Sequence, residues 1–273
     1  SARLIAVMPA TLALMGTTAA RHPKVVTGVA VAITLAALAA SSRIRVESDA
    51  LEYFRADHVA RRGTERVQDF LGGVTNLEII VRGAEDDAIK DPDLLAEIVG
   101  FQRYLESIPE VTKTLSLADF LARLNRSMND EDPAASVVPE SREAIAQLLL
   151  LYGMSDPTED LSDIVDYPYR STRVTARMPF RSSRRTGEIV EAVHGEIARR
   201  FGTRPGVEAT LTGVSVLYNE MQDYVFATFV ESFVLALLVI TFTISIALRS
   251  LPLGLLSMVP NVMPILWILG LMG

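Results

Sequence analysis

Residues 216–248 read VLYNEMQDYVFATFVESFVLALLVITFTISIAL and contain neither glycine nor proline. Because nothing in this stretch interrupts a helix, it predicts one continuous helix of about 50 Å at 1.5 Å per residue. From residue 225 onward its only charged residue is Glu231. The hydrocarbon core of a bilayer is only about 30 Å thick. The stretch therefore predicts a membrane span from about residue 225, preceded by helical turns that project from the bilayer.

Two further stretches have the composition of membrane spans. Residues 24–42 hold no charge after Lys24, and residues 251–273 hold none at all. Each is close to the roughly 20 mainly apolar residues that a spanning helix needs. We therefore predict three transmembrane helices.

The first 23 residues have two structural interpretations. Residues 4–20 are uncharged but include Pro9 and Gly16, so residues 1–23 are either the end of a preceding span or an interfacial linker. The sequence starts on Ser1 rather than methionine and stops in an apolar run. Both observations favour a piece of a longer protein.

The ionisable residues are concentrated between the apolar ends. The chain has 26 Lys+Arg and 33 Asp+Glu residues, a net charge of −7, and no cysteine. The ends contribute only Arg3, Arg21, Lys24, Glu231 and Arg249. Apolar ends exclude a purely soluble globular protein, and the lack of cysteine excludes a disulfide scaffold. An acidic middle without a basic stripe excludes a nucleic-acid partner.

Positive charges indicate the orientation of the spans. Arg21 and Lys24 precede the first span, and Arg249 lies in the short turn between the second and third. Lysine and arginine near span ends favour the cytoplasmic side, although arginines just after the first span dilute the asymmetry. We therefore expect residues 43–223 to lie outside the cytoplasm.

The middle of the chain predicts an α+β domain over residues 43–215. Alternating apolar residues predict strands near 77–82, 172–178 and 207–212, with a shorter strand at 111–115. Helical periodicity follows the strand at 77–82 from Asp91-Pro92 onward and returns at 186–201.

A segment rich in helix separates the second and third strands. Ser116 and Asp119 form a capping-box pattern at its start, and residues 129–140 read as a loop. Without residues 116–168, the order is strand–helix–strand twice, which is the ferredoxin-like split βαβ order. Residues 116–168 are therefore predicted to be a mainly helical insertion.

Two polar residues inside the spans are candidates for function. Glu231 lies about 25 Å along the helix from Leu248, near the outer headgroup boundary. An acid within a span is a functional candidate, but at this depth the carboxylate can reach water, and a solvated side chain without a function is the favoured explanation. Asn261 could bond a carbonyl freed by Pro260 and Pro264, or a neighbouring helix.

The remaining intramembrane features have structural interpretations. Pro260 and Pro264 remove backbone donors and should kink the third span. Gly254, Gly270 and Gly273 allow close approach of helices.

No pattern of a catalytic or cofactor site is present in the sequence. The three histidines, His22, His58 and His194, are dispersed and lack ligand spacing. The sequence has no Walker-type glycine-rich loop and no nucleophile paired with a base. We expect a non-enzymatic protein without a metal or cofactor.

The segment 249–273, RSLPLGLLSMVPNVMPILWILGLMG, resembles the second-to-third helix region of the resistance-nodulation-division (RND) superfamily. It is most similar to the MMPL-type branch related to hopanoid exporters. Residues 211–215, LTGVS, and 7–14, VMPATLAL, resemble further segments of that family. The residues that carry the main resemblance are Arg249, Ser250, Gly254, Pro260, Asn261, Pro264, Gly270 and Gly273.

The resemblance implies a proton-driven exporter of lipids or other hydrophobic molecules in a bacterial inner membrane. Its family members have two similar halves, and this chain would be the start of the second half or of the first. The acids that relay protons lie in the fourth and tenth helices, beyond this segment. Implied partners are membrane lipids, a lipid-like substrate, the remainder of the transporter and, as an open alternative, a second or third copy of it.

Two other functions remain alternatives. A membrane-anchored sensor would bind a ligand outside and signal inward, but the immediate re-entry into the membrane after Arg249 leaves no room there for an output module. A protein-export accessory subunit of the same superfamily would share the helix bundle but carry different span motifs.

Overall fold

The computed structural model describes residues 20–41, 51, 53–155 and 161–272. This part of the chain is mostly helical and contains one four-stranded antiparallel sheet. It divides into two compact units: the described residues between Glu47 and Phe226, which include the sheet, and the described residues before Val46 and after Ala227, which include most of the apolar helices. The predictions for residues 1–19 and for Gly273 lie outside the described residues. In chain order the elements are α1 (Pro23–Ser41), α2 (Val59–Leu71), β1 (Thr75–Gly83), α3 (Pro92–Ser107), β2 (Lys113–Leu115), α4 (Leu117–Met128), α5 (Arg142–Ser155), β3 (Ser171–Met178), α6 (Ser183–Arg200), β4 (Val207–Thr212), α7 (Val214–Ala247) and α8 (Leu251–Met272).

Three helices, α1, α7 and α8, are long and apolar enough to cross a membrane. Few of their residues are buried within the chain. A helix that is apolar on all sides and exposed in this way needs an apolar surrounding. The three helices therefore indicate a membrane protein.

The long helix α7 contains the quoted sequence without glycine or proline, except its last residue, Leu248. It begins at Val214, two residues earlier than the sequence pattern suggested, and continues without interruption to Ala247. The turn after it is short, since α8 begins at Leu251.

The sheet has the strand order β2-β3-β1-β4, and all neighbouring strands are antiparallel. The central strand β1 pairs Ile79 with Val174 on one side and with Leu211 on the other. Leu77, Ile79 and Val81 are fully buried, as the alternating pattern predicted. They belong to the hydrophobic core that α3 and α6 cover on this face of the sheet.

Sequence signals at two helix starts are confirmed. Asp91 caps α3 through its side chain, which accepts from the backbone N of Asp93, and Pro92 occupies the first turn. Ser116 and Asp119 form the predicted capping box at the start of α4. These bonds satisfy backbone N–H groups that have no partner within the helix.

The segment between β2 and β3 contains α4, α5 and two short 3-10 helices in its described part. One of these, Pro133–Ala135, lies inside the stretch predicted as loop. The side chain of Asp132 accepts from the backbone N of Ala134 and fixes that turn.

The helix α2 was not predicted. Its apolar and charged residues lie on opposite faces of the helix, and none of its residues is buried. The helix α6 starts at Ser183, three residues before the predicted start. Its buried face nevertheless includes Ile189, Val193 and Ile197, as the four-residue spacing indicated.

Candidate functional site

Two of the apolar helices, α1 and α8, pack against each other through small residues, and a side-chain hydrogen bond joins them. Nε1 of Trp267 donates to Oγ1 of Thr34 at 3.0 Å. One turn further along both helices, Gly270 faces Ala37, and a Cβ at Gly270 would lie 2.5 Å from the Cα of Ala37. Small residues of this kind allow two helix backbones to approach closely. Because residue numbers increase together along the contact, α1 and α8 run in the same direction.

The turn between α7 and α8 contains the motif residues Arg249 and Ser250. Arg249 adopts the left-handed backbone conformation, with φ of 49°, and the backbone N of Ser250 donates to the carbonyl of Ser245 at 3.1 Å. Gly254 lies against Ser245, whose Cα would be 2.8 Å from a Cβ at this position. The turn is therefore tight, and a larger side chain at residue 254 would collide with α7.

The polar candidates within the spans are not brought together by the described contacts. Glu231 is exposed on α7. Nδ2 of Asn261 lies 3.4 Å from the carbonyl of Ser257 in its own helix. That carbonyl is not one of those that Pro260 and Pro264 deprive of a donor, since these are at residues 256 and 260. The described contact of Asn261 therefore matches neither role that the sequence suggested.

Both prolines lie inside α8, which is assigned as helix from Leu251 to Met272. In the described residues no group of three or more His, Cys, Asp or Glu side chains is placed to hold a metal ion.

The sheet-containing unit has a mainly apolar cleft that sequence reasoning missed. It has a volume of about 280 Å³ and lies between the start of β1, the β3–α6 connection and the first turns of α7. The rings of Phe180 and Tyr218 meet edge to face on its wall, with centroids 6.2 Å apart. The residues that line the cleft are Thr75, Phe180, Arg181, Ser183, Thr186, Val214, Ser215, Tyr218 and Asn219.

Ser215 contributes an unusual polar atom to this cleft. Its Oγ is buried and has no hydrogen-bond partner in the described part of the chain. A buried hydroxyl without a partner costs about 1–3 kcal/mol, so most such groups in proteins are paired. The first turn of α7 therefore offers an unused donor and acceptor at the cleft.

A second, more polar cavity of about 490 Å³ lies beside α3 and α4. Its buried polar side chains bond to one another. Nε2 of Gln102 donates to Oδ2 of Asp119 at 2.7 Å and to Oγ1 of Thr114 at 3.1 Å. Oγ of Ser116 donates to Oε1 of Gln102 at 2.8 Å. Because these groups satisfy each other, they join β2 to α3 and α4, and the cavity is a weaker candidate for a ligand site.

Ion pairs fix the start of α6 beside the apolar cleft. Arg185 donates to both oxygens of Glu110, at 2.8 and 3.0 Å. These hydrogen bonds hold the pKa of Glu110 below its ordinary value, although partial burial acts in the opposite direction. A carboxylate with a lowered pKa stabilises the folded state above its unfolded pKa. That stabilisation is lost as the pH falls through the lowered pKa.

The other end of α6 is held to α3 in a similar way. Glu196 is buried and accepts hydrogen bonds from Arg199 and Arg200. The bonds from Arg199, opposed by burial and reinforced by Arg200, lower the pKa of Glu196. Arg200 also donates to Glu97 on α3 at 3.0 Å. The helix α6, which carries one edge of the cleft, is therefore anchored at both ends.

In comparisons with known proteins, no family model matches the sequence and no curated protein matches it.

Proposed function

We propose that this chain is part of a proton-driven exporter of the RND superfamily, in its MMPL-type branch, which moves lipids or other hydrophobic molecules. The observation that carries the proposal is the order of its parts. An apolar helix is followed by an acidic α+β unit, a long helix, a tight turn and a third apolar helix. The segment 249–273 with the family-like motif forms that turn and third helix.

The packing of α1 and α8 supports an orientation for these helices. Because the two run in the same direction, their N-terminal ends lie at the same face of the membrane. One of those ends carries Arg21 and Lys24, and the other carries Arg249. Positive charges of both helices at one face favour the cytoplasm for that face. Residues 43–223 are then periplasmic, and the membrane is the bacterial inner membrane.

The strand order supports a ferredoxin-like architecture for the external domain. In β2-β3-β1-β4, the helix α3 connects β1 to β2 across one intervening strand, and α6 connects β3 to β4 in the same way. Two such interleaved units make a split βαβ fold, with residues 116–168 as its insertion. In the proposed transporter this domain handles the substrate and is coupled to the membrane helices through α7.

Single cysteines should reveal the orientation of the chain, because its 273 residues contain none. Glu208 is exposed on β4, and Ser250 lies in the α7–α8 turn. With a membrane-impermeant maleimide, we expect Glu208→Cys to react in spheroplasts at least tenfold more than in inside-out vesicles. We expect Ser250→Cys to show the opposite preference. Each variant is the control for the other, and the reverse pattern would show that the orientation is wrong.

Transport by the intact protein tests the proposed function directly. In proteoliposomes with a fluorescent phospholipid, we expect a proton gradient to raise lipid movement across or out of the membrane severalfold. A protonophore should return it to the rate of protein-free vesicles. Lipid movement that continues unchanged after the proton gradient has collapsed would contradict proton coupling. A lack of lipid movement in vesicles that hold a proton gradient would contradict lipid export.

A further inference from the structure

We propose that the cleft beside the start of α7 binds a single-chain amphiphile with an anionic head, such as a free fatty acid. This inference rests on the proposed function in one respect only, the class of substrate. The binding site itself is argued from the residues that line the cleft.

The size and lining of the cleft favour a hydrocarbon chain. Its walls come from Phe180, Tyr218, Val214 and the aliphatic parts of their neighbours. Its volume of about 280 Å³ is just below the range of about 300–1,000 Å³ that is usual for drug-sized ligands. One acyl chain therefore fits better than a lipid with two chains.

Two features favour a polar, negatively charged group at one end of that chain. The buried Oγ of Ser215 has no partner in the described residues, so a ligand oxygen that meets it after rotation of the serine side chain would gain a hydrogen bond there. Arg181 is exposed where the β3–α6 connection borders the cleft. The N-terminus of α6 follows at Ser183, and helix N-termini carry partial positive charge. A carboxylate is complementary to these groups.

The neighbouring charges do not cancel this attraction. The closest basic residues along α6, Arg184 and Arg185, are paired with Glu188 and Glu110. Among the described contacts, Arg181 donates one long hydrogen bond of 3.4 Å to the carbonyl of Phe180 and lies within electrostatic range of Glu110, whose two oxygens are already bound by Arg185. Its guanidinium is therefore the cation that a ligand at the cleft could engage.

Photo-crosslinking in the complete chain tests the site. The chain is placed in nanodiscs of neutral phosphatidylcholine without a proton gradient, and palmitic acid with a diazirine near the chain end is the probe. We expect adducts on residues 180–186 and 214–219, in addition to general labelling of the apolar helices. Excess palmitate should remove the cleft adducts, whereas hexadecanol, which has the same chain without the charge, should need at least tenfold higher concentration.

Two variants separate the cleft from the surrounding lipid. Ser215→Phe places a ring in the cleft and should lower its labelling at least tenfold. Ser232→Phe makes the same change on the exposed membrane part of α7 and should leave cleft labelling unchanged. Arg181→Gln alters an exposed side chain without disturbing the core. It should abolish the preference for palmitate over hexadecanol, and Arg181→Lys should restore it.

Several outcomes would overturn the proposal. Labelling confined to the apolar helices, or equal in wild type and Ser215→Phe, would show that the cleft is not a chain-binding site. Equal displacement by palmitate and hexadecanol would exclude recognition of an anionic head. If the cleft is labelled but the protein fails the transport assay, the exporter proposal is wrong and the binding site stands. If the protein transports lipid but the cleft is not labelled, the binding site is wrong and the exporter proposal stands.

Discussion

Replacement of Gly270 by leucine is expected to separate α8 from α1. Any side chain at this position begins with a Cβ that would lie 2.5 Å from the Cα and 2.6 Å from the Cβ of Ala37. No rotamer of leucine changes the position of its Cβ, so the helix backbones themselves must move apart. Overpacking typically costs about 1–3 kcal/mol and occasionally more. We expect the upper part of this range or beyond, because the collision is with backbone.

The only tryptophan in the chain, Trp267, reports this separation directly. Its hydrogen bond to Thr34 lies one turn from the collision. In nanodiscs with brominated lipids, Gly270→Leu should make Trp267 severalfold more accessible to quenching than in wild type. Gly28→Leu is the matched control, because a Cβ at Gly28 on α1 would meet nothing within 4 Å. Equal quenching in the two variants would mean that the α1–α8 contact does not depend on Gly270.

The second large effect is expected in the core of the external unit, at Phe101. This side chain of α3 is fully buried, and its ring meets that of Phe201 edge to face with centroids 5.6 Å apart. Truncation of a buried phenylalanine to alanine costs about 3–5 kcal/mol through lost transfer energy and the cavity left behind. We expect Phe101→Ala to lower the free energy of opening of β1 by this amount, measured by amide hydrogen exchange in the complete chain.

Phe70→Ala provides the control for that measurement. Phe70 on α2 is 88% exposed, so the same chemical change removes little buried surface. Surface substitutions usually alter stability by less than about 0.5 kcal/mol. A loss of protection in β1 that is as large for Phe70→Ala as for Phe101→Ala would show that α2 is covered by a partner in the nanodisc.

Local sequence patterns predicted the elements whose residues follow a simple repeat. The long uninterrupted α7 follows from a stretch without helix breakers, and β1 follows from alternation at Leu77, Ile79 and Val81, which are all buried. The helix α2 was missed although its apolar residues, Val59, Ala60, Val67, Phe70 and Leu71, fall on one helical face. Charged residues fill the opposite face, and none of the residues of α2 is buried in the core of the unit.

The functional features depend on contacts that are distant in sequence. The cleft joins Thr75 to residues near 180 and 215, and no local pattern indicates that these three segments meet. The pair Thr34 and Trp267 is separated by 233 positions. Nothing in the sequence around Trp267 identifies Thr34 as its partner. A buried hydroxyl without a partner, as at Ser215, becomes visible only in the structure.

The junction between β4 and α7 has a mechanical consequence. A single residue, Gly213, separates Thr212, the last residue of the strand, from Val214, the first residue of the helix. The strand β4 is in turn hydrogen-bonded to the central strand β1, from Gly83 opposite Val207 to Glu78 opposite Thr212. A force along the axis of α7 is therefore transmitted directly to β4, because no flexible linker lies between them. It must either rotate the backbone at one glycine or load the hydrogen bonds at the centre of the sheet.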